Sequence, residues 1–333
     1  MILVTGATGF LGSHIICHLL LQNKKVKALK RAGSSMAEFN FTASVYFITA
    51  SQFENLTWAE ADVLNTGDLE AAFEGVDEVI HCAAIVSFNK KDAFHMLQNN
   101  VTGTANMVNL ALHFNVRKFG YVSSTAALGR AVNGKVMDEK SVWEENEHNT
   151  RYAESKHLAE LEVWRGIQEG LQAVIVNPAI IIGACDFTRG TGKMFQLAAK
   201  GFRFYTPGIN GFVDVRDVSA ILIALMDREV FNERFVLVSE NIPYRMFYDE
   251  AARQLEAEPP SVPVPLWASR LGTSVLGFIS GLQGKSPLLT EETTYAAYQQ
   301  YYYSNEKICG LLEYEFIPVA ETIRWACSYY PEK

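Results

Sequence analysis

Three glycines, Gly6, Gly9 and Gly12, stand at three-residue spacing inside "ILVTGATGFLGSHIICHLL", between an apolar run and an amphipathic one. This pattern narrows the possible folds more than any other in the chain. A strand has to stop, turn tightly and reopen as a helix, and the turn then offers backbone N–H groups with no side chains in the way. Such a turn is a cradle for the pyrophosphate of a dinucleotide. Gly6 permits the turn, Gly9 lets the phosphates approach, and Gly12 lets the helix pack on the strand. Thr8, Phe10 and Leu11 lie in the same turn and belong to the same candidate site. Thr5, Thr8 and Ser13 offer hydroxyls to the phosphates. The competing reading is a glycine-rich turn with no ligand, against which stand the strand before it and the helix after it.

The first half of the chain repeats that alternation. "MILVTG", "KVKALKR", "LTWAEADV", "VDEVIHCAA", "VRKFGYVSST" and "LQAVIVNPAIIIG" read as strands, with helices expected at 10–22, 66–74, 93–114 and 150–169. Apolar strands alternating with helices predict an α/β fold, a doubly wound parallel (Rossmann) sheet covered on both faces. After Pro178 the pattern becomes irregular, with "RFVLVSE" as a further strand and helices at 243–257 and 318–329. The expected division is a nucleotide-binding domain at 1–178, to which 212–240 returns. A smaller mixed α/β substrate-binding part spans 179–211 and 241–333.

A net charge of −8 without a basic stripe argues against nucleic acid or an anionic membrane as partner, and leaves a small molecule. The five cysteines are scattered, with no C-x-x-C, as reduced thiols of a cytoplasmic protein would be. The amino terminus lacks the pattern of a signal peptide, and "ILIALM" at 221–226 is too short to span a bilayer. No spacing of His, Cys, Asp and Glu reads as a metal site.

The second strand ends "KALKRAGSS", with no Asp or Glu from Val26 to Met36 to take a ribose 2′-hydroxyl. Lys30 and Arg31 stand there instead. A guanidinium binds a 2′-phosphate with two hydrogen bonds, which favours NADP(H) over NAD(H). The alternative for both residues is a solvated strand-end charge. Asp62, beside Val63 in "EADVLN", is placed to accept from an adenine amino group or to close a turn. Ala83 and Ala84 end the fourth strand with side chains small enough for a flat cofactor to pass. His81, next to them, reads as a hydrogen-bonded structural residue.

Chemistry enters with "YVSSTAALG" at 121–129, a strand ending in hydroxyls, and "YAESK" at 152–156 in an expected helix. Tyr152 and Lys156 are i and i+4 and share one helix face. A phenol is a poor base at neutral pH, and an ammonium held near it favours the phenolate. A serine hydroxyl then holds a substrate oxygen while the phenol moves a proton.

With these residues the chain resembles the extended short-chain dehydrogenase/reductases. "TGATGFLG", "ADV", "HCAA", "NVTGTANMV", "YVSSTAALG", "YAESK", "VNPAIIIG" and "FVDVRDVSAILIALM" match the family's motifs in order, over nearly the whole chain. The resemblance implies Tyr152 as the acid–base residue and Lys156 as its tuner and ribose ligand. It implies Ser124, five residues before Gly129, as the active hydroxyl, with Ser123 supporting the cofactor and Thr125 the runner-up. It implies Asn100 as part of the active-site framework, and Asn177, Pro178 and Ile180 at the nicotinamide end. "LKR", "NPAIIIG" and "DEKSVWEEN" look most like the dihydroflavonol-4-reductase-like group. That implies NADP(H)-dependent reduction of a ketone or aldehyde. A nucleotide-sugar epimerase or dehydratase is the first alternative, and a non-catalytic NADP-sensing protein the second. A homodimer through the helices at 93–114 and 150–169 is implied by resemblance alone. Expected substrate walls are Ile85–Lys91, the loop 128–149, Phe187–Met194 and "GFRFYTPG" at 201–208, with Arg189, Lys193 and Arg216 as possible anion ligands.

Overall fold

The computed structural model describes residues 1–129, 135–146, 149–269 and 291–331. Along the chain run β1 (Ile2–Thr5), β2 (Val26–Lys30), β3 (Leu56–Glu60), β4 (Glu78–His81), β5 (Lys118–Val122), β6 (Val136–Met137) and β7 (Ala173–Pro178). They are followed by β8 (Ile180–Ile182), β9 (Phe204–Tyr205), β10 (Ile209–Asp214), β11 (Glu233–Leu237), β12 (Glu240–Pro243), β13 (Val262–Pro263) and β14 (Tyr302–Tyr303).

Seven of these strands form one parallel sheet in the order β11-β7-β5-β4-β1-β2-β3. The sequence order reverses between β1 and β4, and a crevice opens there at the strands' carboxyl ends. Successive side chains alternate between the two faces. Val4, Val174 and Val176 pack with the helices Phe10–Leu21 and Val215–Asp227. Leu3, Ala173 and Ile175 pack on the other face with Thr66–Phe73, Gly103–His113 and Arg151–Gln168. Burial on both faces explains why these strands read as unbroken apolar runs. The fold is the doubly wound α/β architecture expected from the alternation.

The structure differs from the sequence reading at several points. "LQAVIVNPAIIIG" is two strands, not one. β7 ends at Pro178, which has no N–H to continue a ladder. β8 leaves for a second sheet of order β12-β10-β8. Of the segment 212–240, β11 pairs with β7 in the main sheet, while β10 pairs in the second sheet. The helices Ala37–Val45 and Ala50–Phe53, between β2 and β3, were not expected. The second begins with a capping box formed by Thr49 and Gln52. Among the described residues no helix is long and apolar enough to cross a membrane.

Candidate active site

The glycine turn sits at the carboxyl end of β1. Gly6 adopts φ +67°, and a Cβ there would lie 2.9 Å from the Ala83 nitrogen. A Cβ on Gly12 would meet the Gly6 carbonyl oxygen at 2.2 Å. Only glycine lets the helix Phe10–Leu21 approach the turn so closely. A cavity of about 300 Å³ opens above it. Gly6, Thr8, Gly9, Phe10, Leu11, Gly12, Lys30, Arg31, Val63, Ala83 and Ala84, named from the sequence as cofactor residues, all line it. Thr5, Leu29, Ser34, Ala61, Cys82, Ile85 and Asn99 complete its wall; of these Leu29, Ser34, Ala61, Cys82 and Asn99 were not named as binding residues. A backbone cradle at a helix start, with flat small-residue walls and two cations at one end, fits a dinucleotide.

Seven of the expected cofactor residues lie outside that wall: Asp62, Ser123, Tyr152, Lys156, Asn177, Pro178 and Ile180. Asp62 turns its carboxylate back to accept from Leu64 N at 2.9 Å, which is the turn-closing alternative. Asn177, Pro178 and Ile180 stand farther along, where β7 gives way to β8. Two hydroxyls offered to the phosphates are committed elsewhere. Ser13 Oγ donates to the Ala7 carbonyl, and Thr5 Oγ1 accepts from Cys82 N and Ala83 N.

The two basic residues differ. Lys30 Nζ lies 3.5 Å from Glu60, the neighbour across β2 and β3. Arg31 is exposed on the cavity wall, with no ion pair among the described residues.

Beyond Cys82 and Ile85 lies the second group of candidates. Tyr152 and Lys156 sit on the first turns of the helix Arg151–Gln168, capped by the Thr150 side chain. Ser124, at the end of β5, caps the short 3₁₀ turn Thr125–Leu128 through Ala126 N, and its hydroxyl stands beside the Tyr152 phenol. Thr125 is buried, whereas Ser124 is half-buried. Phe88 meets the Tyr152 ring edge-on at 5.9 Å.

Lys156 is buried. Its Nζ donates to the Tyr121 hydroxyl at 3.0 Å and to the Val122 carbonyl at 2.8 Å. Burial pushes its pKa down to about 8, and the Glu160 carboxylate opposes that shift. The Tyr152 phenol is pushed up by burial, with the Ser124 bond pulling the other way. The expected lowering of its pKa by the ammonium is not seen: Lys156 Nζ is turned to Tyr121 and Val122, and burial sets the direction.

Asn100 is a clamp. Its Oδ1 accepts from Ile85 N (2.7 Å), and its Nδ2 donates to the Ile85 carbonyl and to Ser155 Oγ, both at 3.0 Å. It lies in a π turn, Gln98–Thr102, that interrupts the expected helix 93–114. Thr104 Oγ1 donates to the Asn100 carbonyl at 2.6 Å. His81 stands between Thr104 Oγ1 (3.1 Å from Nε2) and Thr5 Oγ1 (2.7 Å from Nδ1). Burial holds its pKa down near 3, with help from Lys156, so it is a neutral structural residue.

Ser123 is placed away from the cavity. Its buried hydroxyl needs an acceptor and donates to Glu160 Oε2 at 2.6 Å. Asn177 Nδ2 reaches the same oxygen at 2.7 Å and the Ser124 carbonyl at 3.0 Å. Glu160 was not singled out in the sequence. Its signal was there, since Tyr152, Lys156 and Glu160 fall at i, i+4 and i+8 on one helix face.

The expected substrate walls separate. Phe187 is buried against Phe195 and Tyr330, while Phe202 and Phe204 are exposed. Arg216 pairs with Asp214 at 2.6 Å and covers the Trp325 ring, and Arg189 lies 3.7 Å from Asp186. Lys193 is exposed. Within the loop 128–149, residues 130–134, 147 and 148 lie outside the described residues.

A family model described as the NAD dependent epimerase/dehydratase family matches residues 2–237. A "Putative dihydroflavonol 4-reductase" of Synechocystis sp. is 30% identical over 313 residues, covering 91% of this chain and 87% of its own. "Sterol demethylase protein B" of Methylococcus capsulatus is 32% identical, covering 72% of this chain and 70% of its own. The crystal structure of gox2253 superposes with a TM-score of 0.80 at 28% identity, over 99% of this chain and 97% of that one. The chain belongs to the NAD dependent epimerase/dehydratase family, as an NAD(P)-dependent oxidoreductase of the extended short-chain dehydrogenase/reductase type.

Proposed function

We propose that the chain is an NADP(H)-dependent reductase of a ketone or aldehyde on a small molecule. The observation that carries the reading is the Ser124 hydroxyl set beside the Tyr152 phenol, with Lys156 one helical turn on. When bound, the nicotinamide supplies the hydride. Ser124 holds the carbonyl oxygen and Tyr152 gives it a proton. Burial suits this role, because a phenol with a raised pKa keeps its proton until the oxygen becomes basic. The Lys156 ammonium, fixed by Tyr121 and Val122, then faces the phenolate left behind. Thr125 is too buried to be the substrate-holding hydroxyl. The similar cyanobacterial protein carries a reductase name, which supports reduction over epimerisation.

A panel of aldehydes, ketones and nucleotide sugars, incubated with NADPH, tests the reading. A reductase consumes the cofactor stoichiometrically with a carbonyl compound. Conversion of a nucleotide sugar with no net loss of NADPH would instead make the chain an epimerase, and NADPH binding with no turnover would favour a sensor.

The preference for NADP(H) rests on Arg31, which is free of ion pairs among the described residues, and not on Lys30, which Glu60 partly neutralises. A charge-assisted bond to a 2′-phosphate is worth about 1.5–3 kcal/mol. Arg31→Ala is expected to weaken NADPH binding by about 10–100-fold while leaving NADH binding nearly unchanged. Fluorescence titration reads both, and equal losses for the two cofactors would remove Arg31 from the 2′-phosphate.

A further inference from the structure

Glu160 is a buried carboxylate, with its side chain 3% exposed. A charge in that position is costly unless every lone pair is used. Oε2 accepts from Ser123 Oγ (2.6 Å) and Asn177 Nδ2 (2.7 Å). Oε1 accepts from Arg234 Nη1 (3.0 Å) and Trp164 Nε1 (3.3 Å). The donors come from the ends of β5, β7 and β11 and from Glu160's own helix. One carboxylate thus ties the helix carrying Tyr152 and Lys156 to three strands of the sheet.

That tie runs to Ser124 from both sides. Ser123 precedes it in the chain, and Asn177 holds its carbonyl oxygen at 3.0 Å. Arg234 extends the tie outward, donating to the Glu139 and Ser141 carbonyls at 2.8 and 2.6 Å.

A neutral side chain could accept from Ser123 and Asn177, so the hydrogen bonds alone do not require a charge. Lys156 does. Facing it are Tyr121 and the Val122 carbonyl on β5, His81 and Cys82 at the end of β4, and Tyr152 and Glu160 on its own helix. Burial keeps His81 neutral and pushes the Cys82 thiol up to about 12. Glu160 is the carboxylate among them. Facing Glu160 itself are Arg234 on β11 and His157 and Lys156 on its own helix.

We propose that Glu160 is a positioning residue for the reduction: its hydrogen bonds to Ser123 and Asn177 set Ser124 beside Tyr152, and its place one helical turn after Lys156 puts a carboxylate behind that amine. The proposal rests on the reading of Tyr152, Ser124 and Lys156 as the reacting group. Its test therefore needs no turnover.

Protein labelled with [ε-¹³C]lysine shows the Lys156 resonance as the one missing from a Lys156→Arg variant. Its titration midpoint in the wild type is expected near pH 8. Glu160→Gln is expected to lower that midpoint by about 1 pH unit or more. Arg234→Met, which leaves Glu160 uncompensated, is expected to raise it. The double variant Glu160→Gln/Arg234→Met buries no unpaired ion and is expected to fall like Glu160→Gln, so it carries the test should the single variant not fold. Midpoints that stay at the wild-type value in Glu160→Gln and in the double variant overturn the proposal. Failure of the reductase reading looks different, since it shows as no NADPH consumed with any carbonyl compound, whatever the Lys156 midpoint.

Discussion

Tyr152→Phe is expected to lower kcat for NADPH-dependent carbonyl reduction by about 10²–10⁴-fold, the usual worth of a positioned general acid. The substitution deletes one oxygen from a half-buried ring and leaves the edge-on contact with Phe88 at 5.9 Å in place. Cofactor binding at the glycine turn should therefore persist, and the loss should fall on kcat while NADPH titration stays nearly unchanged. The pH dependence of the wild type follows from Lys156. Its ammonium is present below about pH 8 and is lost as pH rises through that value. The rate of reduction should accordingly fall on the alkaline side of pH 8. Stopped-flow measurement of NADPH oxidation reads the rate and the pH limb together. Full activity in the phenylalanine variant would require another proton donor.

Gly12→Ala carries the second large effect. Its Cβ would sit 2.2 Å from the Gly6 carbonyl oxygen and 2.7 Å from the Gly6 carbonyl carbon. Both are backbone atoms, so no side chain can swing aside. The helix Phe10–Leu21 has to move off β1, and the N–H groups that would meet the pyrophosphate move with it. Overpacking of this kind costs about 1–3 kcal/mol, and more where the backbone itself must shift. NADPH binding is expected to become undetectable by fluorescence titration, with a lowered Tm. Gly310→Ala is the control, since its Cβ would meet nothing within 4 Å. Retained NADPH affinity in Gly12→Ala would mean that the turn does not hold the pyrophosphate.

Much of this was legible in the sequence, for reasons that can be given residue by residue. Ile2–Val4 and Ala173–Val176 read as strands because burial on both faces makes them apolar throughout. The glycine turn was legible because sterics, not tertiary context, demand glycine at positions 6 and 12. Tyr152 and Lys156 were legible because four residues make one helical turn. What escaped depends on partners far apart in the chain. Glu160 gains its meaning from Ser123, Asn177 and Arg234, which only the sheet order brings together. Tyr121 looked like an ordinary strand residue until Lys156 was found on its hydroxyl. The break between β7 and β8 was hidden because the isoleucines after Pro178 suit either sheet equally well.

The π turn at Gln98–Thr102 gives the long helix two angular registers in place of one. Before it, Phe94 is exposed and Met96 is buried; after it, Met107 and Val108 belong to the sheet-facing core. An uninterrupted α-helix would carry a single phase from one end to the other. A substitution that suits the outer end would then have to suit the inner end as well. With the extra residue in the turn, Asn100 and Thr104 keep their grip on Ile85 and His81 whatever the outer turn presents.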